Sequence, residues 1–122
     1  MLLDTVQKML SPLANGLPLL PEEPTMDDLE PWRICIDALD RAIIRLMNER
    51  VTCANVIGSI KKRSDVPVYD PKREKLVLKN VQKHNTGPLS DEAVRRLFER
   101  IIDETRAVER MHYQKNLDDQ NT

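Results

Sequence analysis

A regular series of apolar residues at alternating spacings of three and four constrains the fold of this chain more than any other feature. The series, which we call the seam, consists of Ile36, Leu39, Ile43, Leu46, Arg50, Cys53, Ile57 and Ile60. This spacing is typical of one face of a packed helix. Because an unpaired buried charge costs far more than lost packing, Arg50 in such a series predicts an anion supplied by a partner or a ligand.

The length of the predicted helix indicates how many chains are needed to cover it. Asp28 or Glu30 can cap a helix that begins near Pro31, and no proline interrupts the following residues until Pro67. A helix ending near Ser64 would have about 33 residues and a length of about 50 Å. The remainder of one chain is too short to cover it, so we expect a homodimer in which the long helices pack along each other.

The residues on either side of the long helix predict an arm and two shorter helices. Residues 1–28 are rich in proline, and only Leu3 to Leu10 could form a helical turn or two. Asp70 followed by Pro71 predicts the start of a second helix, which should end before Gly87-Pro88, with Gly87 in the left-handed conformation. Ser90 should cap a third helix.

The third helix should bury one stripe of side chains and end in a polar tail. The predicted stripe is Val94, Leu97, Phe98, Ile101, Thr105, Val108 and Met111 or His112. The sequence thus predicts an all-α fold with three helices per chain in an intertwined homodimer. Its parts are a proline-rich arm at 1–28, a helical domain at 29–115 and a polar tail at 116–122.

The charge balance and the cysteines exclude several classes of function. The chain has 19 basic and 20 acidic residues and a formal net charge of -1, so we expect no overall attraction to nucleic acid or to an anionic membrane. Cys35 and Cys53 are about 27 Å apart on one helix, too far for a disulfide within the chain. Unpaired thiols and the lack of a signal-like N-terminus predict a cytoplasmic protein.

Three cations near the seam could bind one dianion in a dimer. Arg50 and Lys61 are three helical turns apart and project from nearly the same face. Arg33 lies about 26 Å from Arg50 along the helix, too far to share a small ligand within one chain. If the long helices pair antiparallel, Arg33 of one copy approaches Arg50 and Lys61 of the other, an arrangement suited to a compact dicarboxylate.

Each candidate residue also has an ordinary structural interpretation. Arginine and lysine side chains beside a seam usually extend their charged groups to water. Asp70, Arg73 and Glu74 fit the first turn of a helix, where acidic groups and caps are common. Thr105 could be a core hydroxyl bonded to its own helix, and Glu109 could be a surface acid.

Taken together, the charged positions and their spacing resemble the all-α chorismate mutase family over about residues 29–113. The segments that carry the resemblance are IDALDRAIIRLMNERV, IGSIKKRSDVPVYDPKRE and LFERIIDETRAVE. Members convert chorismate to prephenate by a Claisen rearrangement, for phenylalanine and tyrosine biosynthesis, without cofactor or metal. The resemblance implies catalytic roles for Arg50, Lys61 and Glu109, and substrate binding by these three with Arg33 of the partner subunit, Asp70, Arg73, Glu74 and Thr105.

Glu109 departs from the bacterial pattern, because bacterial members commonly carry Gln there. Gln donates a hydrogen bond at any pH, whereas Glu donates only when protonated. Two alternatives to the mutase stay open: an enzyme acting on 4-amino-4-deoxychorismate or isochorismate, and a noncatalytic helical dimerisation module. Glu74, which can hold a ring hydroxyl, favours the mutase, and so does the retention of Arg50, since a scaffold would gain stability from leucine there.

Overall fold

The computed structural model describes residues 1–120, apart from the side chains of residues 113 and 116–120. The described part is all-α, as predicted, and contains no strand. Its helices are α1 (Leu2–Met9), α2 (Leu29–Arg63), α3 (Pro71–Lys83) and α4 (Asp91–Gln120), with 3₁₀ turns at Ser11–Leu13 and Met26–Asp28. The chain divides into an N-terminal unit, Met1–Arg50, and a C-terminal unit, Val51–Thr122.

The predicted number of helices was wrong, because the arm contains a full helix. The described residues form four helices instead of three, and the additional one is α1, which has eight residues. Its side chains Val6 and Met9 are half-buried. Met9 and Ile44 of α2 line the same open groove of about 430 Å³ within the N-terminal unit.

Helix α2 has 35 residues, close to the predicted length. It follows directly on a 3₁₀ turn that is capped by Thr25 and Asp28, where the Thr25 amide donates to Asp28 Oδ2 at 2.7 Å. The carboxylate of Asp28 thus completes a capping box with Thr25 at the 3₁₀ turn, and the cap that the structure shows belongs to this turn.

Most of the seam on α2 is exposed in the single chain. Ile36 and Ile43 are 55% and 50% exposed in the N-terminal unit, and Ile57 and Ile60 are 53% and 58% exposed in the C-terminal unit. The buried residues of α2 include Cys35, Ala38 and Ala42 on a neighbouring face. Arg50 is half-buried. The described residues of one chain therefore do not pack the seam.

The start of α3 is confirmed, and the helix ends before Gly87-Pro88 as predicted, but the left-handed conformation predicted for Gly87 was wrong. Asp70 Oδ1 accepts a hydrogen bond from the Arg73 amide at 3.0 Å, and Pro71 is the first helical residue. The helix ends at Lys83, and Gly87 does not adopt a positive φ. The cause is Asn85, whose side-chain Nδ2 donates to Leu89 O at 2.7 Å and organises the connection before glycine is reached.

Helix α4 begins as predicted at Ser90, whose Oγ accepts from the Ala93 amide at 3.1 Å. Part of its predicted stripe was wrong, because Leu97, Val108 and Met111 are exposed, whereas Ile102 is buried. Helix α3 packs along α4 but has 13 residues against 30, so it covers only part of that length. The helix runs to Gln120, into the predicted tail, and residues 121–122 lie outside the described part.

Two further features of the described residues are the character of their helices and the state of the cysteines. None of the helices in the described part of the chain combines the length and the apolar character needed to cross a membrane. Cys35 and Cys53 are both free thiols, as their separation predicted.

We expect Ser90→Ala to lower the free energy of unfolding by about 1 kcal/mol, because it removes the N-cap of α4. Ser59→Ala is the matched control, since Ser59 Oγ donates to Asn55 O inside α2 at 3.0 Å, where alanine is the better helix former. Urea denaturation at one fixed protein concentration measures the free energy of unfolding of both variants. Equal effects of the two substitutions would contradict the capping role.

Candidate active site

The turn that ends α2 directs the chain back over the last turns of that helix. The Val66 amide donates to Lys61 O at 2.8 Å and the Asp65 amide to Lys62 O at 3.2 Å, the hydrogen bonds of a Schellman motif. Asp65 has a φ of 58°, in the left-handed region. The returning segment brings Val68 to the buried Gly58, where an added Cβ would lie 3.9 Å from Val68 Cγ1.

Lys61 joins the end of α2 to the start of α3. Its Nζ donates to Val68 O at 3.4 Å and lies 3.6 Å from Asp70 Oδ2. The Lys61 side chain is 24% exposed. Both contacts are long for hydrogen bonds, so the ammonium keeps the capacity to bind an anion more closely. Asp70 divides its carboxylate between this cation and the cap of α3.

Glu74 lies one turn into α3 and is paired with a cation of α4. Its Oε1 is 3.3 Å from Arg106 Nη2, and the same Nη2 lies 2.6 Å from Asp103 Oδ1. The Arg106 guanidinium also lies over the Tyr69 ring, 5.5 Å from its centroid. Arg106 thus connects α4 to the first turn of α3 and to the segment before it. The side chain of Arg73, predicted to support the site, is exposed.

Thr105 and Glu109 lie one turn apart on α4 and differ in their surroundings. Thr105 is buried and its Oγ1 donates to Ile101 O at 2.7 Å, the ordinary back-bond of a helical threonine. Glu109 is half-buried. Partial desolvation lowers the pKa of Lys62, and the charge of nearby Glu109 opposes that shift. Lys62 is therefore a cation that interacts electrostatically with Glu109, whereas the resemblance implies for Lys61 and Glu109 only that both donate to the substrate.

The predicted residues are divided between the two units. Lys61, Asp70, Glu74, Thr105 and Glu109 all belong to the C-terminal unit, on α2, α3 and α4. Arg33 and Arg50 belong to the N-terminal unit, where Arg33 is exposed and Arg50 is half-buried.

Sequence reasoning missed two residues of this cluster, Tyr69 and Arg106. Arg106 has a weak signal, because it follows Thr105 and lies four residues after Ile102, at the edge of the buried face of α4. Tyr69 has no signal of its own beyond its position before the Asp70 cap. In the described residues, no group of three or more His, Cys, Asp or Glu side chains could hold a metal ion.

Around the junction of α2 and α3, the cations of the candidate site already lie close to anions. Lys61 faces Asp70, Lys62 faces Glu109, and Arg106 faces Glu74 and Asp103. A ligand with two carboxylates would therefore need further positive charge to compensate its own. A ligand hydroxyl, in contrast, finds acceptors here at Glu74 and Asp70.

Comparison with known proteins identifies the family to which the chain is similar. The model of the chorismate mutase type II family matches residues 32–110. A bifunctional chorismate mutase/prephenate dehydratase of Neisseria gonorrhoeae is 47% identical over 87 residues, which are 70% of this chain and 24% of that protein. A chorismate mutase of Methanocaldococcus jannaschii is 28% identical over 91 residues, which are 74% of this chain and 92% of that protein.

A solved structure gives the same result for the fold. The chorismate mutase (form II) of Thermus thermophilus superposes with a TM-score of 0.66 and 34% identity, over 68% of this chain and 94% of that one. The chain spans about a quarter of the length of the bifunctional relatives that it matches. The family model covers most of α2, all of α3 and most of α4, and the chain therefore belongs to the chorismate mutase type II family.

Proposed function

We propose that this chain catalyses the rearrangement of chorismate to prephenate, the step that leads toward phenylalanine and tyrosine. The observation that carries the proposal is the cluster of Lys61, Asp70 and Glu74 at the junction of α2 and α3, within the family match at residues 32–110. A cation and two acidic acceptors lie where a ligand with carboxylates and a ring hydroxyl can engage both kinds of group.

We also propose, from the sequence alone, that the protein is cytoplasmic.

The reaction needs positioning and electrostatic stabilisation from the protein. The ether C–O bond of the substrate breaks while a C–C bond forms within the same molecule, so no external proton or electron is required. The chain's cations would hold the two carboxylates with the side chain folded over the ring, which selects the reactive conformer. Negative charge grows on the ether oxygen as the bond breaks, and donation by Lys61 and Glu109 would stabilise the transition state more than the substrate.

The remaining predicted residues would bind the substrate on its other sides. Glu74 would accept a hydrogen bond from the ring hydroxyl, and the backbone at Asp70 would form a second hydrogen bond with the same hydroxyl. Thr105 would contribute its hydroxyl to a carboxylate, for which its back-bond to Ile101 must be shared. Arg73 would support the site through the first turn of α3, where its amide already receives the Asp70 cap.

The second copy of the chain would complete the charge balance. Because Lys61 and Arg106 already face anions, the substrate dianion would require Arg50 and, from the partner subunit, Arg33. The exposed seam supports such pairing, since Ile36, Ile57 and Ile60 each leave more than half of their surface in water. Burial of these side chains against a second α2 would stabilise a homodimer by about 25 cal/mol for each Å² of apolar surface removed from water.

The direct test is incubation of the purified chain with chorismate and identification of the product. Prephenate formation is the expected result. If the chain does not convert chorismate but converts 4-amino-4-deoxychorismate or isochorismate, its substrate is one of those compounds and not chorismate. No turnover of any of the three by a folded dimer would leave the noncatalytic module as the function.

We expect Lys61→Met to lower kcat/KM for chorismate by about 10²- to 10³-fold, because it removes a charged donor to the developing oxyanion. Lys72→Met is the matched control, since Lys72 is an exposed lysine on α3. The measurement is the steady-state kinetics of both variants, compared once their helical content is shown to be equal. Similar losses in the two variants would show a general effect of charge and contradict the role of Lys61.

Activity should fall as the pH rises, because Glu109 donates a hydrogen bond only in its protonated form. Glu109→Gln should remove this fall, since the amide donates at every pH. Glu99→Gln is the control on the same helix, where Glu99 is paired with Arg95 at 2.9 Å, and it should keep the wild-type profile. A wild-type rate that is constant from acidic to alkaline pH would exclude Glu109 as the donor.

Mixed dimers can test whether Arg33 acts across subunits. Arg33→Gln and Lys61→Met should each be inactive alone, whereas refolding an equal mixture should restore about a quarter of wild-type activity. Half of the dimers would then be mixed, and each mixed dimer would have one intact site. A mixture as inactive as its components would place Arg33 in the site of its own chain or outside any site.

A further inference from the structure

Arg106 is held more firmly than an ordinary surface arginine. Its Nη2 contacts Glu74 Oε1 at 3.3 Å and Asp103 Oδ1 at 2.6 Å, and its guanidinium lies 5.5 Å from the centroid of the Tyr69 ring. Its Nε is enclosed and makes no hydrogen bond within the described residues. These contacts hold the guanidinium beside Glu74. A substrate bound by Glu74 would therefore lie near the positive charge of Arg106.

The contact with Arg106 determines the charge that Glu74 presents. A lone carboxylate would carry a full negative charge, whereas the guanidinium on Oε1, which Asp103 also contacts, compensates part of it. A carboxylate that shares one oxygen with a cation retains acceptor capacity on the other. Glu74 can therefore accept a hydrogen bond from a neutral hydroxyl without a strong preference for a cation.

We propose that Arg106 is a positioning residue that sets the substrate specificity of the site, favouring a ring hydroxyl over a ring amine through its ion pair with Glu74. The proposal rests on the proposed function, because it concerns the group that Glu74 would bind. An amino group at the position of the ring hydroxyl is largely protonated near neutral pH, as α-amino groups are. Such an ammonium is attracted by an uncompensated Glu74 and repelled by Arg106.

The surrounding residues make Arg106 the determinant of this charge. Asp103 Oδ1 accepts from the same Nη2 and, together with Tyr69, keeps the guanidinium in place. The first turn of α3 offers Arg73 as another cation, but its side chain is exposed. Replacing Arg106 by a neutral residue would leave Glu74 with its full charge and convert the subsite into one that attracts an ammonium.

The test compares kcat/KM for chorismate and for 4-amino-4-deoxychorismate in the wild type and in Arg106→Gln. We expect the ratio to move toward the amino compound by at least about tenfold, because a neutral side chain no longer repels its ammonium. Arg100→Gln is the matched control on α4, where Arg100 is paired with Glu104 at 2.8 Å, and it should leave the ratio unchanged. An unchanged ratio in Arg106→Gln would overturn the proposal.

Two further variants separate charge from packing. Arg106→Lys keeps the positive charge and should retain a ratio close to wild type, even if it unfolds at a lower temperature. In a Glu74→Gln background, Arg106→Gln should shift the ratio less than it does in the wild-type background, because the part of the effect that acts through the charge of Glu74 is then absent. If Arg106→Lys shifts the ratio as much as Arg106→Gln, packing determines specificity and the proposal fails.

The wild-type measurement distinguishes a failure of the Arg106 proposal from a failure of the proposed function. Turnover of chorismate by the wild type with an unchanged ratio in Arg106→Gln would overturn the assignment of Arg106 and leave the proposed function intact. Failure of the folded wild type to convert chorismate would overturn both.

Discussion

The carboxylate of Asp70 is the group on which the arrangement of the C-terminal unit depends. One oxygen caps the first turn of α3 through the Arg73 amide, and the other faces Lys61 near the end of α2. The same group therefore starts one helix and ties that start to the previous one. Glu74 lies one turn further along α3, and its position relative to Lys61 follows from this link.

Charge compensation connects the local structure to the proposed chemistry. Because Lys61 faces Asp70, and Arg106 faces Glu74 and Asp103, these cations are already compensated and offer little net positive charge to a dianion. In the proposed dimer, Arg50 and the partner's Arg33 supply that charge, and the same association covers the exposed seam. Stability and ligand binding would then both depend on a second copy of the chain.

The sequence predicted the features that rest on local rules. The long helix followed from apolar spacing without proline, and the Asp70 and Ser90 caps followed from side chains that satisfy the first amides of a helix. Predictions that depended on tertiary contacts were less successful. Gly87 was expected to adopt the left-handed conformation after α3, but it does not, and the side-chain hydrogen bonds of Asn85 organise that connection.

The candidate site shows the same division. The resemblance identified Lys61, Asp70 and Glu74, and the structure shows their contacts; their roles stay predictions. Arg106 and Tyr69 were missed because their significance arises only when α4 and the α2–α3 connection pack together, which no spacing along the chain reveals. The helix in the arm was underestimated, because the prolines that follow Leu10 do not prevent the residues before them from forming a helix.

The central claim is that one chain lacks the charge needed to bind the substrate and that two chains supply it. The most direct test is the rate of prephenate formation per chain, measured over a wide range of protein concentration beside sedimentation of the same samples. The account predicts that the rate per chain falls on dilution in parallel with the fraction of dimer. A rate per chain that stays constant in samples shown to be monomeric would contradict it.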